Sequence, residues 1–363
     1  MENKPVKVAV GLSGGVDSSV AAALLKEKGY DVIGLSMEIY DGSVTIPGSG
    51  KHACYGPDEK EDIASAAAVC EKLKIPFHVI DLKKEFGKHV IEYFRNEYLK
   101  GRTPNPCIVC NHRLKFGFML EKAKEIGIDF DKFATGHYAR ITESDRTFLL
   151  RRSLDPSKDQ TYFLYALRQE QLSHTMFPLG EYNKNEVKKL ARSMGLKTSE
   201  RPESQDFISG GDYSPFFRSG EIKEGDIVNE NGDVLGRHKG VIHYTIGQRR
   251  GLGISSPTPV YVSRIEAGKN RVVVSNKDSL LSKGLIAGNV NLISIDRLTA
   301  PRRVKVKIRL QHQGAFARLS AVNKDSAEIL FEKPQLSVTP GQSAVFYDGD
   351  TVVGGGIIEK AIQ

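Results

Sequence analysis

Two periods of hydrophobic and polar positions run through the first half of the chain. Val6 to Val10 is a short β-branched run, and Val20 to Lys28 carries the Ala- and Leu-rich spacing of a helix. Asp31 to Met37 predicts a second strand, Pro57 to Leu73 a second helix, and Phe77 to Asp81 a third strand, with a polar loop at Asp41 to Gly50 between the first two. Strands alternating with helices at this spacing predict a parallel sheet with its ligand at the carboxyl ends of the strands. Farther on, Lys115 to Gly117 leads into a helix ending near Gly127, Phe133 to Ala139 reads as a strand ending on a polar turn, and Ser157 to Leu164 opens another helix.

From Gly211 the pattern changes to short β runs between glycines, at Asp226 to Val228, Val234 to Gly236, Val241 to Tyr244 and Val260 to Val262. From about Gly284 the runs lengthen and alternate: Arg303 to Arg309, Ala327 to Phe331, Ser343 to Tyr347 and Val352 to Ile358. In the first of these Val and Ile alternate with Lys and Arg, which predicts one core face and one basic face. The expected fold class is an α/β N-terminal domain with a parallel sheet (1–211), a small central β domain (212–283) and a C-terminal β-barrel (284–363).

Between the first strand and the first helix lies Gly11-Leu12-Ser13-Gly14-Gly15-Val16-Asp17-Ser18-Ser19. Gly14 and Gly15 let backbone approach an anion, while Ser13, Ser18 and Ser19 add hydroxyls to the N–H groups of a helix start. The absence of a Lys excludes the GxxxxGK[ST] loop, and the glycine spacing excludes GxGxxG. SGGxDS resembles the signature of the ATP pyrophosphatases, which split ATP between its α and β phosphates. That resemblance implies that Asp17 orients Mg²⁺ and that the serines hold pyrophosphate.

Composition narrows the class. Hydrophobic residues at 40% and charged residues at 26% over 363 positions are those of an ordinary multidomain soluble protein, without an apolar run long enough for a membrane span or a leader, so a cytoplasmic location is expected. The net charge of +8 permits a polyanionic partner without requiring one. Four cysteines are too few for a secreted disulfide scaffold of this length.

Cys107 and Cys110 form CxxC in a proline-containing segment, Gly101 to Asn111, read as a stiff loop. A thiol at a helix start beside Arg113 and Lys115 is expected to have a lowered pKa. With Cys54 and His52 the same pair could make a zinc site. Cys70, on an apolar helix face with Ala66, Ala67 and Leu73, is expected to be buried and inert. Gly136 and His137 are expected at the same sheet edge as the Ser/Gly loop. Lys158, Asp159 and Gln160 read as the first turn of a helix, for which capping alone is a sufficient reason. Gly247 to Gly253, with Arg249 and Arg250, reads as an exposed basic turn suited to RNA phosphates.

Taken together, SGGVDSS, TPNPCxxCN, ATGHYA, KDQTYFL, ESQDF and HYTIGQRRGLG resemble the tRNA-specific 2-thiouridylases of the MnmA/TrmU type, in that family's order and from about Val6 to the C-terminus. The resemblance implies an adenine nucleotide alpha hydrolase-like first domain. It also implies an enzyme that adenylates the C2 oxygen of the wobble uridine of tRNA, delivers sulfur from a cysteine persulfide and releases AMP. By position, Gly11, Leu12, Ser13, Gly14, Gly15, Val16, Asp17, Ser18, Met37 and Gly136 would hold ATP. Asn105, Pro106 and Cys107 would face the target base, and His137, Lys158, Asp159, Gln160, Gln311, His312 and Gln342 would meet tRNA. A sulfur-donor protein is a further implied partner.

The family pattern places a sulfur-carrying cysteine at Cys110 and a second catalytic cysteine in a segment reading ESQDICFI. Here Glu203 to Ser209 reads ESQDFIS and has none. Cys107 is the nearest substitute, Cys54 another. Alternatively, Cys54, Cys107 and Cys110 hold a [4Fe–4S] cluster with one iron open to sulfide, by likeness to other tRNA thiolases. Two further readings are a pyrophosphatase adenylating a different substrate and a tRNA-binding relative whose catalytic site has changed.

Overall fold

The computed structural model describes residues 5–44, 46, 53–196, 198, 206–208 and 212–363. His52, residues 203–205 and 209 of the Glu203 to Ser209 segment, and residues 45 and 47–50 of the Asp41 to Gly50 segment therefore lie outside the described residues, as does the boundary at Gly211. The chain divides into two compact units: Met1–Val90 with Cys107–Asp212 and Asp350–Val352, and Ile91–Pro106 with Tyr213–Gly349 and Val353–Gln363.

In the first unit, β1 (Lys7–Gly11) is followed by helix α1 (Val16–Glu27), β2 (Asp31–Glu38), β3 (Ala53–Tyr55), helix α2 (Glu59–Leu73) and β4 (Phe77–Asp81). Then come β5 (Lys132–Thr135), the hairpin β6 (Ala139–Ser144) and β7 (Thr147–Arg152), the short β8 (Thr175–Met176) and β9 (Asp206–Ile208). The main sheet runs β4-β2-β1-β5-β8, and its paired strands are parallel. Val8, Ala9 and Val10 are fully buried because β1 is covered on both faces, as a central parallel strand requires. Val8, Val10, Ala22, Leu25, Ala66 and Cys70 form one core cluster, so Cys70 is buried as expected and its thiol is pushed up to about 12 by desolvation.

The strand order reverses between β1 and β5, which opens a crevice at their carboxyl ends. Several local expectations shift there. Helix α1 begins at Val16 rather than Val20, because Ser18 Oγ and Ser19 Oγ donate to Gly15 O (3.1 and 2.8 Å) and satisfy themselves inside the first turn. The buried Ser19 hydroxyl thus does not face an anion. Strand β5 ends at Thr135, not Ala139. The segment from Ser157 makes only a 3-10 turn at Thr161–Phe163, where Asp159 accepts from Thr161 N and Oγ1 (3.3 and 2.9 Å). The CxxC segment is helical from Pro106: Pro106–Val109, Cys110–Phe118 and Met119–Glu125 follow without a break, the middle stretch with π-type hydrogen bonding.

The second unit contains a four-stranded sheet of β10 (Gly225–Val228), β11 (Val234–His238), β12 (Tyr261–Glu266) and β13 (Arg271–Ser275), in the order β11-β10-β13-β12. Val241–His243, expected as a strand, is a 3-10 turn, and its neighbour Tyr244 joins the core of Ile227, Val262 and Val272. The unit also holds β14 (Leu281–Leu292), β15 (Arg302–Lys307), β16 (Ala315–Ala321), β17 (Ser326–Leu336), β18 (Ser343–Asp348) and most of β19 (Thr351–Ile362). They follow the order β14-β17-β16-β15-β18-β19, and β14 pairs with β19, so the sheet closes into a barrel. Val304, Val306 and Ile308 point into its core while Lys305 and Lys307 remain partly exposed, the two faces expected from the alternation.

Candidate active site

At the β1/β5 crevice the Ser/Gly loop is backed by main chain. Gly14 has φ +70°, and a Cβ there would lie 2.4 Å from Asp62 O on α2. Ser65 Oγ donates to Gly14 O (3.1 Å), and Ser13 N donates to Ser18 Oγ (3.2 Å). From the other side comes Gly136, where a Cβ would meet Ser18 N at 2.6 Å and the Asp17 carbonyl carbon at 2.7 Å. Gly11 to Ser18 and Gly136 are thus brought into one place. Leu12 and Val16 are core side chains, which leaves only their backbone to face a ligand. Met37 is half-buried near the end of β2, in register with Ile80 of β4.

Asp17 has partners that sequence reasoning did not find. Lys184 Nζ lies 2.8 Å from both carboxylate oxygens, and Tyr138 Oη donates to Oδ1 at 2.9 Å. Tyr138 is itself gripped by Gln160, which accepts from Tyr138 N at 2.8 Å and donates its own N–H to Tyr138 O at 3.0 Å. Lys184 begins the helix Lys184–Ser193, capped by Asn183 and Glu186. Its capping box NKNE was legible; its contact across 167 positions was not.

The cysteine helix belongs to the same unit from Cys107 onward. Cys110 is half-buried, and desolvation pushes its thiol up to about 11, with Lys115 pulling it down and Cys54 adding to the rise. The expected lowering is overturned: Cys110 lies within a continuous helix, and burial outweighs the lysine. Cys54, exposed on β3, is within electrostatic reach of Cys110. Among the described residues, no three His, Cys, Asp or Glu side chains converge as a metal-binding set, so Cys54, Cys107 and Cys110 are not gathered as cluster ligands. His137 is half-buried between Phe116 and Phe177, with Nδ1 2.7 Å from Thr135 Oγ1. Burial, with Lys115 nearby, drives its pKa down to about 3, so the ring is neutral at physiological pH. Lys115 acts electrostatically on both Cys110 and His137.

The residues expected at tRNA divide between the units. In the first, Asp159 and Gln160 turn their side chains inward, onto Thr161 and Tyr138, while Lys158 is half-buried. In the second, Gln342 Nε2 donates to Thr103 O and Pro104 O (3.1 and 3.3 Å), just before Asn105 and the buried Pro106. Gln311 is exposed. His312 Nδ1 accepts from Gly314 N (3.2 Å), which leaves Nε2 to donate to Gln335 Oε1 at 3.1 Å. Arg249 and Arg250 are exposed, and Arg249 lines a cavity of about 250 Å³ with Gly251 to Ile254.

A parallel α/β domain with a Ser/Gly loop at its switch point, joined to two β modules, defines a HUP-domain protein. Residues 6–209 match the tRNA methyl transferase HUP domain, 218–276 the tRNA methyl transferase PRC-barrel domain, and 282–358 the aminomethyltransferase beta-barrel domain. The chain is 48% identical over 360 residues to the tRNA-specific 2-thiouridylase MnmA of Acetivibrio thermocellus, covering 97% of this chain and 99% of that one. It is 46% identical to the enzymes of that name from Clostridioides difficile and Halothermothrix orenii, each match covering 98% of this chain and 99% of the relative. The chain belongs to the tRNA-specific 2-thiouridylase family. Among the described residues no helix is long and apolar enough to cross a membrane.

Proposed function

We propose that this chain is an ATP-dependent tRNA 2-thiouridylase acting in the cytoplasm. The C2 oxygen of the wobble uridine attacks the α-phosphorus of ATP and displaces pyrophosphate; the outer sulfur of a cysteine persulfide then attacks C2, AMP leaves with the oxygen, and a second protein thiolate breaks the remaining S–S bond, freeing 2-thiouridine and closing a disulfide that an external thiol reduces. Gly11 to Ser18, Met37 and Gly136 hold ATP, and Asp17, which shares its carboxylate with Lys184, is the group that would orient Mg²⁺. Asn105, Pro106 and Cys107 face the base, while His137, Lys158, Asp159, Gln160, Gln311, His312 and Gln342 lie along the tRNA. Cys110 carries a persulfide received from a donor protein, and Cys107, three residues before it, is its redox partner. Residues 1–211, 212–283 and 284–363 act as catalytic domain, central β domain and tRNA-binding barrel. The observation that carries the reading is the contact between the cysteine helix and the loop edge: Phe116, in the stretch Cys110–Phe118, lies 6.1 Å from the His137 ring, next to Gly136, so that nucleotide and sulfur chemistry would share one unit.

A second reading replaces the relay with a [4Fe–4S] cluster on Cys54, Cys107 and Cys110; it is favoured by the electrostatic reach between Cys54 and Cys110. The cysteines as they stand do not form a ready ligand set, and no step is routed through a cluster. The test is anaerobic purification with iron and sulfide analysis, then single-turnover thiolation of tRNA with pyrophosphate, AMP and 2-thiouridine measured together. Iron-free protein that makes one thiouridine per AMP supports the relay. Iron and sulfide lost on Cys54→Ser replace the relay with the cluster. No pyrophosphate formed with tRNA and ATP sinks both.

A further inference from the structure

The Ser/Gly loop contains no Lys or Arg between Gly11 and Ser19, and its ionisable side chain, Asp17, is negative. Backbone N–H groups and hydroxyls give hydrogen bonds and a partial positive field, but not a full charge. A polyphosphate brought to an uncompensated carboxylate would be repelled.

Lys184 answers that deficit from a distant part of the chain. Its residue is 8% exposed, and a lysine so buried is rare unless paired. Its ammonium sits 2.8 Å from both Asp17 oxygens and 5.7 Å from the centre of the Tyr138 ring. The backbone is fixed as well: Lys184 N donates to Asp155 Oδ2 at 3.1 Å, and Asn183 caps the helix by accepting from Glu186 N at 3.0 Å. Stability is a poor reason for burying the lysine of such a pair, since taking a charge out of water offsets much of what the pairing gains. Position supplies a better one, because the charge is anchored beside the first turn of α1, where the loop presents its donors.

We propose that Lys184 is the phosphate-binding cation of this loop, neutralising Asp17 and contacting the pyrophosphate half of ATP. The assignment rests on the reading of the loop as an ATP site. It supplies from the helix Lys184–Ser193 what a GxxxxGK[ST] loop carries within itself.

The test is calorimetric binding of inorganic pyrophosphate and of AMP to the full chain, its Lys184→Met and Lys184→Arg variants, with thermal melts alongside. Loss of a charged contact predicts that Lys184→Met weakens pyrophosphate at least about tenfold while AMP moves less than about twofold, and that Lys184→Arg recovers most of the loss. Equal weakening of both ligands would mean that the loop has merely been disturbed, and unchanged pyrophosphate binding would mean that Lys184 does not touch it; either overturns the proposal. If Lys184→Met does not fold, Asp17→Asn decides: with its competing carboxylate gone, Lys184 should bind metal-free pyrophosphate more tightly, and equal or weaker binding overturns the proposal. Unmodified protein that binds neither ATP nor pyrophosphate refutes the ATP site itself, whatever the variants do.

Discussion

The Ser/Gly loop and the cysteine helix occupy one unit, yet they are prepared for chemistry to different degrees. At the loop, Gly14 and Gly136 are pressed against backbone of α2 and α1, so the geometry is set by main chain that cannot yield. At the helix, burial pushes the Cys110 thiol up to about 11, and little of it is thiolate near neutrality. Phosphate binding needs fixed amide donors, and burial helps to fix them. Thiol chemistry needs charge at sulfur, and burial withholds it. On the proposed reading, the nucleotide half is built into the fold, while the sulfur half waits on what Cys110 carries.

The largest effect should separate the two halves. Cys110→Ser is expected to abolish 2-thiouridine, and AMP release with it, while leaving tRNA-dependent pyrophosphate formation in a single turnover within a small factor of the original. Nucleoside mass spectrometry and pyrophosphate assays on one reaction check it. Loss of pyrophosphate as well would mean that the two regions are not independently prepared.

Gly136→Ala attacks the other half. Its Cβ would press on Ser18 N and the Asp17 carbonyl carbon, which are backbone atoms without a rotamer to change. Misplacement by about an ångström at a phosphate site costs on the order of 100-fold, and AMP formation should fall by about that much. Alkylation of Cys110 by iodoacetamide should be unchanged in this variant.

That alkylation rate sharpens the comparison directly. A rise from 9.0 to about 11 leaves on the order of 100-fold less thiolate at neutral pH than an unperturbed cysteine has. Peptide mapping after timed alkylation should find Cys110 slow at pH 7 and accelerating up to about pH 11, whereas a plateau near pH 9 would contradict the assignment. Lys115→Met removes the opposing influence and should move the inflection higher still.

The two halves also differ in how well the sequence discloses them. Glycine and serine at fixed offsets between a β-branched run and an Ala-rich run announce the loop, because their reason is local: positive φ, close approach and a helix start. The parallel sheet and the alternating barrel strands are legible for the same reason, as periods of burial. The state of Cys110 is not, since Arg113 and Lys115 sit beside it in sequence while the desolvation that dominates comes from the fold. Lys184 and Tyr138 escape for a related reason: a pairing over 167 positions leaves no local signature. The misread Ser157 to Leu164 segment shows the converse, good capping residues followed by too little helix to cap.

His137 provides a pH test of the loop edge. Its folded pKa of about 3 lies below the ordinary 6.5, so the folded protein holds it neutral while the unfolded chain takes up a proton below 6.5. Stability therefore falls as pH drops from 6.5 toward 3, by at most about 1.4 kcal/mol per unit and less where solvent reaches the half-buried ring. Denaturant midpoints across this window should show the slope, and His137→Gln should flatten it.

The smallest effect concerns a segment held by a side chain as well as by glycine. Gly341, at φ +93°, has no room for a Cβ, which would lie 2.8 Å from Thr103 N and O. Its neighbour Gln342 reaches the same segment through two amide hydrogen bonds, to Thr103 O and Pro104 O. Gly341 thus sets the path as Gly136 does at the loop, whereas Gln342 only holds it. Because both hydrogen bonds are only part-buried, Gln342→Ala should cost about 1 kcal/mol. A modest drop in the urea midpoint with faster proteolysis between Gly101 and Pro106 would bear this out. An effect as large as that of Gly341→Ala would instead show that the amide, and not the backbone, sets the course of this segment.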